Sequence, residues 1–219
     1  MRRHLIAGLA FLAIAGCEAG FENGPGGGMG ALFGAAPSAE ILLGQAVTIR
    51  GPQGFCVDRS SKSDRAAGAF VLLANCAHLS RRAETPLAPV EAVLTALVSP
   101  AIEDGLSPSA ATLEDYFRSD LGRAALARDG KAGSVQILRA RQRGDVLYLK
   151  LRDTGPGGTE GLRSETWRAI FTENERLVVL SAAVAIGSPS DDGLLFGLVQ
   201  DFVTSVRQAN LAESEGEAG

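Results

Sequence analysis

From Ser134 to Asp153 the chain alternates apolar and polar residues with the two-residue period of strands that bury one face. Val135, Ile137 and Val146 alternate with polar neighbours, as do Leu147, Leu149 and Leu151. Residues 134–142 and 146–153 therefore predict a hairpin about the Arg143-Gly144-Asp145 turn. Two further strands, 165–172 and 176–186, meet at Glu173-Asn174-Glu175. Each connection is too short for a crossover helix, so the pairing is antiparallel. Upstream, 46–50 and 55–58 read as short strands on either side of Gly51-Pro52-Gln53-Gly54, and 69–75 as a third, apolar one.

The period changes to 3.6 in two places. Thr112 and Asp115 form a near capping box, behind which Leu113, Tyr116, Phe117, Leu121, Ala124 and Ala125 share one face as far as the Asp129-Gly130 stop. Behind Ser190 and Asp191, Leu194, Leu195, Leu198, Val199, Phe202, Val203 and Val206 recur at helical spacing, a stripe expected to pack on the sheet. The stretch PVEAVLTALVSP, residues 89–100, fits either period, and an internal comparison tips it toward strand. VLTALV at 93–98 and VLSAAV at 179–184 share four of six residues. Each precedes an SPS triplet and a helix with an aromatic beside an aspartate, Asp115-Tyr116 and Asp201-Phe202, as a duplicated strand-helix unit would. The expectation is an α+β domain over residues 41–211, an antiparallel β-sheet packed by two main helices, followed by a short acidic tail, 212–219, expected to be disordered.

The N-terminus has a different pattern. Arg2 and Arg3 precede an apolar run from Leu5 to Ala15, the layout of a secretory signal over residues 1–16 and too short for a membrane span of about 20 residues. Ile14-Ala15-Gly16-Cys17 resembles the lipobox of bacterial lipoproteins, and the match is complete over those four positions. The resemblance implies acyl chains on Cys17, a firm anchor because each buried methylene contributes about 0.8 kcal/mol. Glu18, rather than aspartate, after the cysteine implies sorting to the outer membrane, with the domain facing the periplasm. Residues 17–40, rich in glycine, then read as the lipidated cysteine and a flexible tether. The order of elements over roughly residues 45–210 also resembles the PsbP and DcrB-like fold, in which a sheet is sandwiched by helices and several members are lipoproteins. That resemblance rests on element order and has no signature residues to match.

Three cysteines are an awkward number for an exported protein unless one is acylated. Lipidation of Cys17 leaves Cys56 and Cys76, for which an oxidising compartment makes a disulfide the default, worth about 3 kcal/mol in loop-closure entropy. A metal site would need further ligands, and His78 is the single histidine after the signal. Without Arg2 and Arg3 the chain has 19 basic against 25 acidic residues, a mildly acidic balance with no basic, aromatic stripe for nucleic acid.

Catalytic motifs are missing. The sequence has no phosphate-binding loop, no HExxH or paired CxxC zinc motif and no GxSxG elbow, and no cofactor is implied. LRDTGPGG, residues 151–158, contains the Asp-Thr-Gly of aspartic proteases at a strand end, but in one copy and followed by Pro156. A hairpin loop shaped by Asp153 and glycines explains it better. His78 has no partner by motif. Trp167 and Arg168 suit a binding hot spot if exposed, whereas a lone strand tryptophan is more often core. The candidate binding surface is therefore Asp153, Trp167, Arg168 and His78. The leading expectation is a non-enzymatic, periplasm-facing lipoprotein that binds a partner protein or small ligand, with a hydrolase using carboxylates around Asp153 as the alternative. A polar pocket with two converging acids would favour the enzyme, and a shallow apolar surface would favour binding.

Overall fold

The computed structural model describes residues 36–42, 46–80, 88, 90–102, 107–188 and 191–216. The stretch read as a signal, Cys17, nearly all of the stretch read as a tether, and residues 217–219 lie outside them. The described elements are β1 (Ala39–Leu42), β2 (Val47–Arg50), β3 (Phe55–Arg65), β4 (Gly68–Asn75), α1 (Cys76–Leu79), β5 (Ala92–Ala101), α2 (Ala110–Arg118), α3 (Asp120–Leu126), β6 (Val135–Arg143), β7 (Val146–Asp153), β8 (Leu162–Glu173), β9 (Arg176–Ala185) and α4 (Asp192–Gly216). Seven strands form one antiparallel sheet in the order β3-β4-β5-β9-β8-β7-β6, while β1 and β2 form a separate ribbon. The sheet is two meanders, β3-β4-β5 and β6-β7-β8-β9, joined where β5 pairs with β9.

The ambiguous stretch is a strand. Ala92, Leu94, Ala96 and Val98 are buried while the residues between them are less so, the two-residue period of a sheet with one well-covered face. At the seam the two similar hexapeptides lie against each other, with Thr95 opposite Ser181, Leu94 opposite Ala182 and Ala96 opposite Leu180. Thr95 and Ser181 are equivalent positions of the two hexapeptides. A local two-fold axis normal to the sheet thus passes between them.

The α4 face of the sheet carries the larger core. Trp167, Phe171, Leu180 and Leu94 meet Phe202, Val199 and Val206 of α4, and Val47 and Ile49 of β2 join them. Each such side chain contributes roughly 1.5–3 kcal/mol when fully buried. Asn210, buried in α4, accepts from the Thr48 amide at 2.9 Å and donates to Thr48 O at 2.9 Å and Val206 O at 2.7 Å, pinning the ribbon to the helix. Leu194, placed in the buried stripe by its spacing, is 53% exposed at the helix start instead. α4 continues to Gly216, into the acidic stretch 212–219.

On the opposite face the expected single helix is two, so that four helices rather than two main ones are found among the described residues. Ser109, not Thr112, caps α2, its Oγ accepting from the Thr112 amide at 3.1 Å. Ser119 leaves helical geometry and caps α3 through the Gly122 amide, also at 3.1 Å. The break folds α3 back on α2 so closely that a Cβ on Gly122 would stand 2.0 Å from Tyr116 O. Leu113, Phe117 and Leu126 consequently face the sheet, and Leu121, expected on the same face, is 76% exposed.

Two further differences concern β1 and β3. β1 begins at Ala39, inside the stretch read as tether, and its Glu40 binds Lys62 at 2.8 Å and Arg59 at 3.1 Å. β3 runs to Arg65 rather than Asp58, through a bulge between Asp58 and Ser63 that Asp58 braces by accepting from the Ser60 amide at 2.9 Å. Cys56 and Cys76 form a disulfide that ties the edge strand β3 to the helix following β4.

Candidate functional site

The four side chains singled out from the sequence do not form one site. Asp153 ends β7 and is 4% exposed. Its Oδ1 accepts from the Gly155 amide at 2.8 Å and its Oδ2 from the Arg128 amide at 3.0 Å. The Arg128 guanidinium stands 3.5 Å from the same carboxylate and donates to the Asp153 and Gly155 carbonyls at 2.9 and 3.2 Å. The glycine-rich loop is wrapped around this arginine, since a Cβ on Gly158 would sit 3.2 Å from the guanidinium. Asp129 stands beside Asp153 against Gly155, and its carboxylate is engaged by Ser134 Oγ at 2.8 Å and the Lys131 amide at 3.0 Å. Hydrogen bonding from Ser134 holds the Asp129 carboxyl below its ordinary value. Both carboxylates thus brace the loop, with their acceptor sites directed at the chain itself.

Arg168 lies beneath the end of α3, donating to Leu126 O at 3.0 Å, with its Nε buried and without a hydrogen-bond partner. Burial lowers its pKa, opposed by the attraction of Asp153. Trp167 is fully buried on the α4 face and is not part of any surface. Its ring packs 4.6 Å from Phe196, and its indole N–H donates to Asp192 Oδ1 at 2.9 Å. Trp167 and Arg168, adjacent in a strand, point to opposite sides of the sheet. His78 stands exposed on α1, its Nε2 3.9 Å from Glu91. Three strands separate β4, which precedes it, from β7, which carries Asp153, a lateral distance of roughly 19 Å. Among the described residues no three His, Cys, Asp or Glu side chains converge as metal ligands.

What the fold does assemble is a surface elsewhere on the sheet. α2 and α3 cover the sheet over β6, β7 and β8 only, where Leu147, Leu149, Leu151 and Ile170 are fully buried. On the same face β4, β5 and β9 have no helix above them among the described residues, and Phe70, Leu97, Leu177 and Val179 line a shallow groove of about 380 Å³. Leu97, at its centre, is 48% exposed, and no charged side chain lines the groove. The signal in the sequence is that β4 and β5 carry apolar residues on both strand faces, Phe70 and Leu72 as well as Val71 and Leu73, whereas a strand facing water on one side alternates.

No protein family, curated protein or solved structure matches this chain.

Proposed function

We propose that the chain is a non-enzymatic, membrane-anchored lipoprotein of the bacterial envelope, held at the outer membrane through acylated Cys17 and facing the periplasm. It binds the apolar surface of a partner protein or small ligand on the open half of the sheet. One observation carries this reading: the groove over β4, β5 and β9, where Leu97 is half in water in the middle of an apolar strand face. Contiguous exposed apolar surface of this kind marks interaction sites. The disulfide between Cys56 and Cys76 suits an oxidising compartment. The carboxylates around Asp153 brace a loop, which disfavours the hydrolase alternative.

Two experiments test it in cells. Metabolic labelling with a palmitate analogue labels the native protein and not Cys17→Ser, and the substituted protein leaves the membrane fraction. A photo-crosslinking residue at position 97 gives a discrete adduct, as a protein band or as added mass of a small ligand, whereas the same residue at Thr204, exposed on α4 on the other side of the sheet, does not. Equal labelling at the two positions, or none at 97, contradicts a binding role for the groove.

A further inference from the structure

The edge strand β6 carries Arg139, Arg141 and Arg143, opposite Lys150, Tyr148 and Val146 of β7 on the α4 face. Arg152 and Arg207 complete a group of six cations, among which stand three paired carboxylates, Asp145, Glu165 and Asp192, while Glu173, partly buried, lies near Arg207 and Asp145. Arg139 pairs with Asp192 at 3.2 Å, Lys150 with Asp192 at 2.8 Å and Glu165 at 3.2 Å, Arg152 with Glu165 at 2.5 Å, and Arg207 with Asp145 at 2.6 Å. The three paired acids are thereby occupied. Arg141 and Arg143 form no ion pair among the described residues, although the protein as a whole is acidic.

Those two guanidinium groups are held over one ring. Arg141 Cζ lies 4.7 Å and Arg143 Cζ 5.1 Å from the centre of Phe196, and Arg141 is also 5.8 Å from Trp167. Phe196 is itself fixed by edge contact with Tyr148 at 5.3 Å and by Trp167. Charge on an edge strand serves to prevent strand addition, a task that solvated lysines perform as well. Two like charges drawn to one aromatic ring are a different arrangement, because each raises the energy of the other and a bound anion relieves that repulsion. Both side chains are exposed, and their planar forks match the oxygens of a phosphoryl group.

We infer that Arg141 and Arg143, floored by Phe196, form a seat for a phosphoryl anion, supplied by an anionic lipid headgroup or by a soluble phosphate compound. The seat lies on the opposite side of the sheet from the apolar groove and stands or falls independently of it. Trp167, the single tryptophan of the chain, is the built-in reporter.

The test is a fluorescence titration of the full chain in non-ionic detergent at constant ionic strength, with pyrophosphate, dihexanoyl phosphatidylglycerol and dihexanoyl phosphatidylcholine as probes. Trp167 emission changes saturably with at least one of the two anionic probes and not with phosphatidylcholine. Saturation by the lipid alone identifies a headgroup source, and saturation by pyrophosphate alone a soluble one. The double variant R141Q/R143Q binds about tenfold more weakly or worse with its thermal midpoint retained, since hydrogen bonds to charged groups are among the stronger ones. The control R118Q/R123Q removes as much charge from α2 and α3 and leaves the titration unchanged. A response that survives in R141Q/R143Q, falls equally in the control, or is absent with both anionic probes overturns the proposal. Should R141Q/R143Q unfold, the single variants R141K and R143K, which keep the charge and lose the fork, supply the comparison.

Discussion

The two halves of the α2 face are made of similar strands and held in different ways. Over β6, β7 and β8, apolar side chains are sealed beneath α2 and α3, so this half is stabilised by burial. Over β4, β5 and β9 no described helix is present, and the strands there rely on burial on the α4 face, on ion pairs from Glu40 to the β3 bulge, and on the Cys56–Cys76 bond. The two-fold axis at the seam sharpens the contrast. The helices following β5 cross the axis and cover the other meander, whereas the helix following β9 goes to the opposite face. The open half is the seat that a symmetric arrangement would have filled, and what distinguishes the halves is the route of one connection.

Truncation should separate the two halves most clearly. Leu149→Ala, under α2 and α3, is expected to cost about 3 kcal/mol, while Leu97→Ala in the open half costs below about 1 kcal/mol; chemical denaturation measures both. Equal losses would mean that the groove is as well packed as the covered half. Reducing the disulfide, or the variant C56S/C76S, is expected to cost about 2–4 kcal/mol. Amide exchange should quicken chiefly in β3 and β4, with β6 to β8 still protected. Gly122→Ala, which puts a Cβ against Tyr116 O, is expected to cost about 2 kcal/mol and to loosen the cover itself, read as increased exposure of Phe117 and Leu126 to exchange.

Two smaller effects test the β8–β9 hairpin beside the seam. Asn174 and Glu175 in the β8–β9 turn have φ of 45° and 59°, and glutamate is strained there. Glu175→Gly is expected to raise stability by up to about 1 kcal/mol. Burial raises the pKa of Glu173 above its ordinary value, with Arg207 opposing and Asp145 adding to the rise. A carboxyl with a raised folded-state pKa binds more protons folded than unfolded, so its contribution falls as pH rises through that folded pKa. Glu173→Gln should therefore melt slightly higher than the parent at pH 7, and the gap should close below about pH 4.5.

Much of the sheet was legible in the sequence because alternation is a local property. Residues 134–153 paired as the period implied, and Ala92–Ala101 became a strand as the repeated hexapeptide indicated. What stayed hidden depends on contacts distant in the chain. The break at Ser119 rests on Gly122 approaching Tyr116, which no periodicity reports. Asp153 reads locally as a turn residue, but Arg128, its partner 25 residues earlier, is invisible without the fold. Trp167 was weighed as core or hot spot, and its indole N–H found its acceptor in Asp192, on the following helix. Arg141 and Arg143 show only as alternate positions of a strand until Phe196 arrives from α4. The open half of the sheet was out of reach for the same reason, since a pattern reveals that a strand is apolar on two sides and not which helix will cross it.

The seam at Thr95 and Ser181 bears on how this chain folds. Thr95 of β5 precedes its partner Ser181 in β9 by 86 residues. Until β9 is made, the free edge of β5 presents a nearly self-complementary pattern, and another copy of β5, turned head to tail, offers the same alternation of leucine and alanine in the same register. Newly made molecules crowded together are thus exposed to swapping of this one strand, and dilution during refolding favours the monomer.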